Sequence, residues 1–382
     1  VSAAAVKRLW SIPDKLSIEW ADGTLSEYAS LWLRDNLRED RDPHSGQRLI
    51  DIADLPEDPK IRSAVPHNGA VSVEWEAESR IASFEFEWLL AHAPNRSIDR
   101  PEFTRRLWLE GASLNGARDF AWTACNALAN QRSRRAVWLE RLLQDGIAFL
   151  SDVPCNDAGI LEAAALMGRV SETNYGQVFD VRSVAQPENL AYSDLGLGLH
   201  TDNPYREPVP GFQLLHAVVA SPDGGESLFG DGFAIAEHLR ANFPDDFAIL
   251  TQWPVPFLYR SKDAELYAER PLIQLSCSGA VSAVHYNSRS IAPLRLGVRD
   301  AGPFYGAYRR FAALLRDARL HLRFRLRNGD LVAFDNQRTL HGRTAFTSAR
   351  YSRHLRGCYL TRDSVHSAAA LLRRESQGET RQ

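Results

Sequence analysis

His200-Thr201-Asp202, with His341 in the distant stretch Asp335-Asn336-Gln337-Arg338-Thr339-Leu340-His341-Gly342-Arg343, are the residues of this chain whose types and spacing can do chemistry. Two imidazoles and a carboxylate can take one face of a metal and leave the opposite face open, which suits non-haem Fe(II) and its reactions with O2. An enzyme is the leading reading. A lone H-x-D arises easily by chance among eleven histidines, and its bland alternative is a surface His beside a capping Asp. The surroundings add weight: Leu199 precedes the pair, a turn at Pro210-Gly211 follows, and Phe212-Gln213-Leu214-Leu215-His216 is strand-like. His216 sits within that apolar run and reads as a hydrogen-bonded core residue.

Shortly after His341, the stretch Tyr351-Ser352-Arg353-His354-Leu355-Arg356-Gly357-Cys358-Tyr359 is expected to run back as the next strand and turn Arg353 into the pocket of His341. A guanidinium there can grip the far carboxylate of a dicarboxylate chelating the metal, through a bidentate charge-assisted contact that lysine does not reproduce. The alternative is an arginine paired with a surface acid.

The elements that must position these groups are mostly strands. Leu16–Trp20 ends at Ala21-Asp22-Gly23 and Val71–Trp75 alternates with period two, so residues 1–95 form a small β-rich module. Residues 96–133 are less regular and rich in arginine (Arg96, Arg100, Arg105, Arg106 and then Arg132, which leads into Arg134 and Arg135 just beyond), as a connecting segment would be, and 134–382 form the main domain. In it, Val137–Leu143 has helical spacing and stops at Gly146, and Ile147–Leu150 is a strand. Asp157 is placed to cap a helix over Ile160–Met167. Pro303–Leu320 reads as an amphipathic helix, and Leu322–Leu326 alternates before the Asn328-Gly329 turn into Leu331–Phe334. Few helices flank many strands. Ligands on strands far apart in sequence converge at one mouth in a double-sheet jelly roll, so the fold class is mainly β with flanking helices.

The bulk numbers are those of an ordinary globular protein: 382 residues, 44% hydrophobic and 24% charged. Lys+Arg 45 against Asp+Glu 48 gives a net charge of -3, with no block of like charge suited to nucleic acid or a membrane surface, so the partner is expected to be a small molecule. Cys125, Cys155, Cys277 and Cys358 form no CxxC or CxC pair, which argues for buried thiols in a reducing cytoplasm rather than for disulfides or a zinc site. No apolar run reaches the roughly 18 residues that span a bilayer, and the start lacks a hydrophobic signal core. A cytoplasmic location is expected.

Across nearly its whole length the chain resembles the Fe(II)/2-oxoglutarate hydroxylases of the γ-butyrobetaine hydroxylase and taurine dioxygenase superfamily, most of all the γ-butyrobetaine branch. The resemblance rests on Leu31-Trp32-Leu33-Arg34-Asp35-Asn36, His200-Thr201-Asp202, Gly224-Gly225-Glu226-Ser227, Asp231-Gly232-Phe233, Phe334-Asp335-Asn336, His341-Gly342-Arg343 and Ser352-Arg353-His354-Leu355. It implies a double-stranded β-helix with His200, Asp202 and His341 on Fe(II), and with Arg353, helped by Ser227, on the distal carboxylate of 2-oxoglutarate. O2 is the second cosubstrate, and decarboxylation to succinate and CO2 accompanies hydroxylation of an unactivated carbon. A homodimer is implied as well.

In that branch aromatic side chains enclose a trimethylammonium group, and the matching positions are Tyr175, Phe179, Tyr192 and Tyr359; ring faces attract such a cation by about 2 kcal/mol where water is excluded. Asn189 and Asn287 resemble amides that hold the substrate carboxylate. Two departures stand beside them, Asn203 directly after the His-Thr-Asp triplet and Arg289 after Asn287-Ser288. A phosphonate, with three oxygens and up to two charges, can use both additions. The favoured substrate is therefore 2-(trimethylammonio)ethylphosphonate, with γ-butyrobetaine, giving carnitine, as the alternative. A non-catalytic quaternary-amine-binding protein would not need Arg353, and a zinc hydrolase would need a general base that the sequence does not offer. Many relatives carry a CxCxxC zinc site in the N-terminal module, but here the positions read Leu37, Glu39 and Asp42 with Arg80 near the expected His, so no zinc is expected.

Overall fold

Alternation of buried and exposed side chains builds two small antiparallel meanders at the start of the chain. They are β1 (Val6–Ile12), β2 (Lys15–Trp20) and β3 (Leu25–Ala29), then β4 (Ile61–His67), β5 (Ala70–Trp75) and β6 (Ile81–Glu85). The computed structural model describes residues 5–76, 78, 80–94, 103–109, 120–182, 195–221, 224–346 and 353–376. The chain divides into two compact units, 1–102 and 103–382. In the first, Trp20 and Trp75 are fully buried, and their indole N–H groups donate to Ser26 Oγ at 2.9 Å and Ser30 Oγ at 3.0 Å, which removes the cost of burying a donor.

Leu37 joins this apolar core. Beside it Arg34 donates to Asp40 Oδ2 at 2.6 Å and to Glu78 Oε2 at 2.8 Å, while Arg80 donates to the other oxygen of Asp40 at 2.8 Å. Asp40 is thus the shared counterion of two guanidinium groups, one of them buried. Removing one partner of a buried pair strands the other charge. Asp40→Ala is expected to destabilise the protein by about 3 kcal/mol in urea denaturation followed by tryptophan fluorescence, and Arg80→Ala, which removes the more exposed partner, by less.

The second unit is a pair of facing sheets. The larger runs β10 (Phe179–Val181), β21 (His354–Leu360), β12 (Phe212–Val219), β19 (Leu331–Asp335), β8 (Ile147–Ser151) and β7 (Trp122–Ala124), with β9 (Val170–Ser171) beside β21. The smaller runs β11 (Leu197–His200), β20 (Thr339–Arg343), β13 (Ser227–Asp231) and β18 (Leu322–Phe324). Phe149, Ala217, Val332, Phe334 and Leu355 of the first sheet meet Phe229 and Leu322 of the second, which closes the double-stranded β-helix. Helices Arg132–Asp145, Gly159–Ala165 and Arg362–Ser376 cover the outer face of the larger sheet, so β8, β12 and β19 are buried on both faces and read as near-continuous apolar runs. Two hairpins, β14 (Val255–Arg260) with β15 (Glu265–Arg270) and β16 (Ile273–Leu275) with β17 (Val281–Val284), stand outside the two sheets.

Several expectations change. Residues 120–130, read as part of a connection, belong to the second unit as β7, which runs parallel to β8, and helix Cys125–Asn130; a three-residue parallel strand leaves little sequence pattern. The N-cap of the helix after β8 is Ala158, and the turn before it is held by Asn156, whose Oδ1 accepts from Ala158 and Gly159 N–H at 3.0 and 2.8 Å; Asp157 instead pairs with Arg356. The helix read from Pro303 spans Val298–Leu314, with Pro303 inside its early turns. Cys125 and Cys358 are buried, whereas Cys155 and Cys277 lie exposed in loops. Arg353 does not lead into the strand next to His341: β21, which starts at the following residue, lies in the opposite sheet, between β10 and β12. Among the described residues no helix is long and apolar enough to cross a membrane.

Candidate active site

Antiparallel pairing of β11 with β20 sets His200 directly opposite His341, with ring centroids 4.3 Å apart. Asp202 lies just past the end of β11, where no ladder fixes it, and side chains take over. The buried Asn336 accepts from the Asp202 N–H through Oδ1 at 2.7 Å and donates from Nδ2 to the Asp202 carbonyl at 3.0 Å and the Pro210 carbonyl at 3.2 Å. On the other side the Thr201 N–H donates to the Tyr286 carbonyl at 2.7 Å, and the Tyr286 N–H donates to Thr201 Oγ1 at 2.9 Å. The loop is held from both sides. Asn336→Ala should weaken metal affinity by about 10-fold or more in calorimetric titration of the metal-free protein, because a misplaced ligand costs binding.

The three donor groups lie within 4.8 Å of one another. Asp202 Oδ1 faces His200 Nε2 at 3.4 Å and His341 Nε2 at 3.8 Å. Nδ1 of His200 lies 2.9 Å from the Gly198 carbonyl, a contact that needs the proton on Nδ1 and leaves the Nε2 lone pair free. Burial and the neighbouring His200 push His341 down to about 3, so its ring is neutral at physiological pH. Burial alone would raise Asp202, but His341, His200 and the Tyr359 hydroxyl outweigh it and hold the carboxyl well below the usual range. Two imidazoles and one carboxylate fit Fe(II).

Buried neutral histidines also fix the sign of the acid response. His285, which shares 3.1 Å with Gln274 Oε1, is likewise pushed down to about 3 by burial. Below about pH 6.5 the unfolded chain takes up these protons while the folded chain does not, so stability is lost as pH falls toward 3. Denaturant midpoints of the metal-free protein should decline from pH 7 to pH 4, and His285→Asn should flatten that decline.

Arg353 enters the same cavity from the larger sheet and is buried. Burial, with the like charge of Arg343 beside it, lowers its pKa to about 10, and among the described residues no carboxylate offsets its charge. Phe346 lies under both guanidinium groups, 5.6 Å from Arg353 and 5.4 Å from Arg343. Gly225, at φ +65°, lets Arg353 pass, since a Cβ there would stand 3.1 Å from its Cδ. Ser227, opposite Arg343 in the β13–β20 register, also lines this end. A buried cation of this kind calls for an anion from outside the protein. Gly225→Ala should therefore weaken the binding of a dicarboxylate at Arg353 several-fold with less change in metal affinity, as calorimetric titration would show.

Aromatic rings form the other wall of a cavity of about 420 Å³, a size suited to small ligands. Phe179 lies 5.1 Å from Tyr359 and 6.4 Å from Tyr175, and Gly357 makes room for it, since a Cβ there would meet the Phe179 ring at 2.3 Å. Tyr205 and Tyr259, stacked at 5.1 Å, extend the wall; the sequence reading passed over them, because Tyr259 comes from the β14–β15 hairpin outside the two sheets. Tyr192 and Asn189 lie outside the described residues.

The remaining expected contacts reach the cavity with changed geometry. Asn203, at φ 54°, donates from Nδ2 to the Tyr359 hydroxyl at 3.1 Å and accepts from the Tyr205 hydroxyl at 2.6 Å, leaving one N–H for a ligand. Asn287 donates to the Thr201 carbonyl at 3.2 Å, while its buried Oδ1 has no partner among the described residues. Arg289 is open to the cavity solvent yet crowded by the walls; burial lowers its pKa, opposed by Asp202 and Tyr205.

The class that this fold and site define is the iron(II)- and 2-oxoglutarate-dependent dioxygenases, in which the metal and cosubstrate supply oxygen activation. Residues 115–359 match the family described as "Taurine catabolism dioxygenase TauD, TfdA family", and residues 9–90 match "Gamma-butyrobetaine hydroxylase-like, N-terminal". The chain belongs to the TauD, TfdA dioxygenase family. It is 34% identical over 373 residues to a gamma-butyrobetaine dioxygenase of Pseudomonas sp. (strain AK-1), covering 95% of each chain. It is 27% identical over 367 residues to the human gamma-butyrobetaine dioxygenase, covering 94% of each. A trimethyllysine dioxygenase of Meyerozyma guilliermondii is 26% identical over 379 residues, again covering 94% of each.

Proposed function

We propose that this dioxygenase hydroxylates 2-(trimethylammonio)ethylphosphonate, a small trimethylammonium compound with an anionic far end, in organophosphonate catabolism. His200, Asp202 and His341 hold the iron, and Arg353 with Ser227 orients 2-oxoglutarate through its distal carboxylate. Tyr175, Phe179 and Tyr359, with Tyr192, take the trimethylammonium group. That relatives are named gamma-butyrobetaine and trimethyllysine dioxygenases supports the cationic end. The aromatic rings attract the cation through their faces and keep water from it, which no hydrogen bond to a quaternary nitrogen can do.

The observation that carries the choice of anion is Arg289. Its guanidinium shares the cavity with the aromatic wall and lies close enough to the metal ligands for its charge to act on His341. Rings, the metal-ligand set and a cation thus line one cavity, a combination that suits a zwitterion. Asn287 and Asn203 add at most one free N–H each beside their existing bonds, so the fixed charge of Arg289 dominates the anion end. Identity to the Pseudomonas gamma-butyrobetaine dioxygenase favours the carboxylate as the second reading.

Arg289→Ala separates the two. With the phosphonate as substrate, KM should rise about 10- to 100-fold, the loss of a charge-assisted contact, while any γ-butyrobetaine turnover changes little. Unchanged phosphonate kinetics in that variant would remove the basis for preferring it.

A further inference from the structure

Asp202 divides its two oxygens between two tasks. Oδ1 faces both imidazoles, whereas Oδ2 accepts a hydrogen bond from the Tyr359 hydroxyl at 2.8 Å. The same hydroxyl accepts from Asn203 Nδ2 at 3.1 Å, and the Asn203 carbonyl accepts from Tyr205 at 2.6 Å. A chain of three hydrogen bonds thus runs from the aromatic wall to the carboxylate that is to bind the metal. Asn203 can enter this chain because it adopts φ 54°, a left-handed conformation that asparagine tolerates better than most side chains.

The ring of Tyr359 is fixed as firmly as its hydroxyl. It lies 5.1 Å from Phe179, is almost wholly buried, and comes from β21, paired with β10, β12 and β9. A carboxylate whose outer oxygen is held in this way must strain or lose that bond to turn the oxygen onto a metal. Bidentate binding would take a fourth coordination position and leave only two for a bidentate cosubstrate and O2, which need three.

We propose that Tyr359 is a positioning residue that keeps Asp202 monodentate, with Asn203 holding Tyr359, so that a cation packed against the Tyr359 ring steadies the same side chain that orients the metal ligand. The link to the cation rests on the trimethylammonium reading above; the effect on metal coordination does not. The hydroxyl and the ring have separable duties, which gives the test its resolution.

Tyr359→Phe keeps the ring and removes the hydroxyl. Cobalt(II), added to the metal-free protein, reports coordination number through its visible d–d bands. The variant should bind it about 10- to 100-fold more weakly and show bands displaced toward higher coordination. With iron and 2-oxoglutarate, the charge-transfer band should shift and succinate should form in excess over hydroxylated product. Asn203→Gly, which suits the left-handed backbone, should move the cobalt bands in the same direction by a smaller step. Wild-type cobalt affinity and bands in Tyr359→Phe would overturn the proposal, whatever its turnover. Failure of the trimethylammonium reading would show separately, as a wild-type enzyme whose succinate formation no trimethylammonium compound stimulates.

Discussion

Everything at this site depends on holding Asp202 in place beyond the end of a strand. The two histidines are aligned by the β11–β20 ladder itself, but a carboxylate two residues past His200 has no such support. Asn336 provides it by hydrogen-bonding both the N–H and the carbonyl of Asp202, and the Thr201–Tyr286 bonds close the other side. Because Asn336 sits between β19 and β20, the clamp ties the loop that carries the carboxylate to the turn that leads into His341. The metal site is a property of the closed barrel rather than of any one segment.

Charge explains the rest of the cavity. Arg353 is buried, and among the described residues no carboxylate offsets it; Arg289 is open to the cavity, and rings run from Tyr175 to Tyr359, so in the proposed reading these regions would take a dianionic cosubstrate, an anionic substrate end and a cation. Tyr175 also carries Arg206 at 5.6 Å from its ring, so one cation already rests on this wall.

How much of this was legible in the sequence differs by element. His200, Asp202, His341 and Arg353 could be singled out because metal and carboxylate chemistry restrict residue type, and the structure brings the first three together; the strands were legible because β5 and β19 carry clear patterns of burial. The placement of Arg353 was not: a strand that crosses to the other sheet looks in sequence like one that pairs with its neighbour. Asn336 lay in the quoted stretch, but its partner is a backbone 134 residues away, and no local pattern announces such a bond. Tyr205 and Tyr259 were missed for a related reason, since single aromatics gain meaning only when a hairpin folds over the barrel mouth. Asn203 was read as a substrate contact, and its two bonds to tyrosine hydroxyls give it a second duty.

The central claim is that the aromatic wall and Arg289 together select a trimethylated ammonium compound with an anionic end for oxidation at this iron site. It is tested most directly by succinate release from 2-oxoglutarate and Fe(II) in the presence of 2-(trimethylammonio)ethylphosphonate or its unmethylated counterpart, 2-aminoethylphosphonate. Strong stimulation by the trimethylated compound alone, with hydroxylated product matching succinate, is the predicted result. Equal stimulation by both, or by neither, would contradict the account.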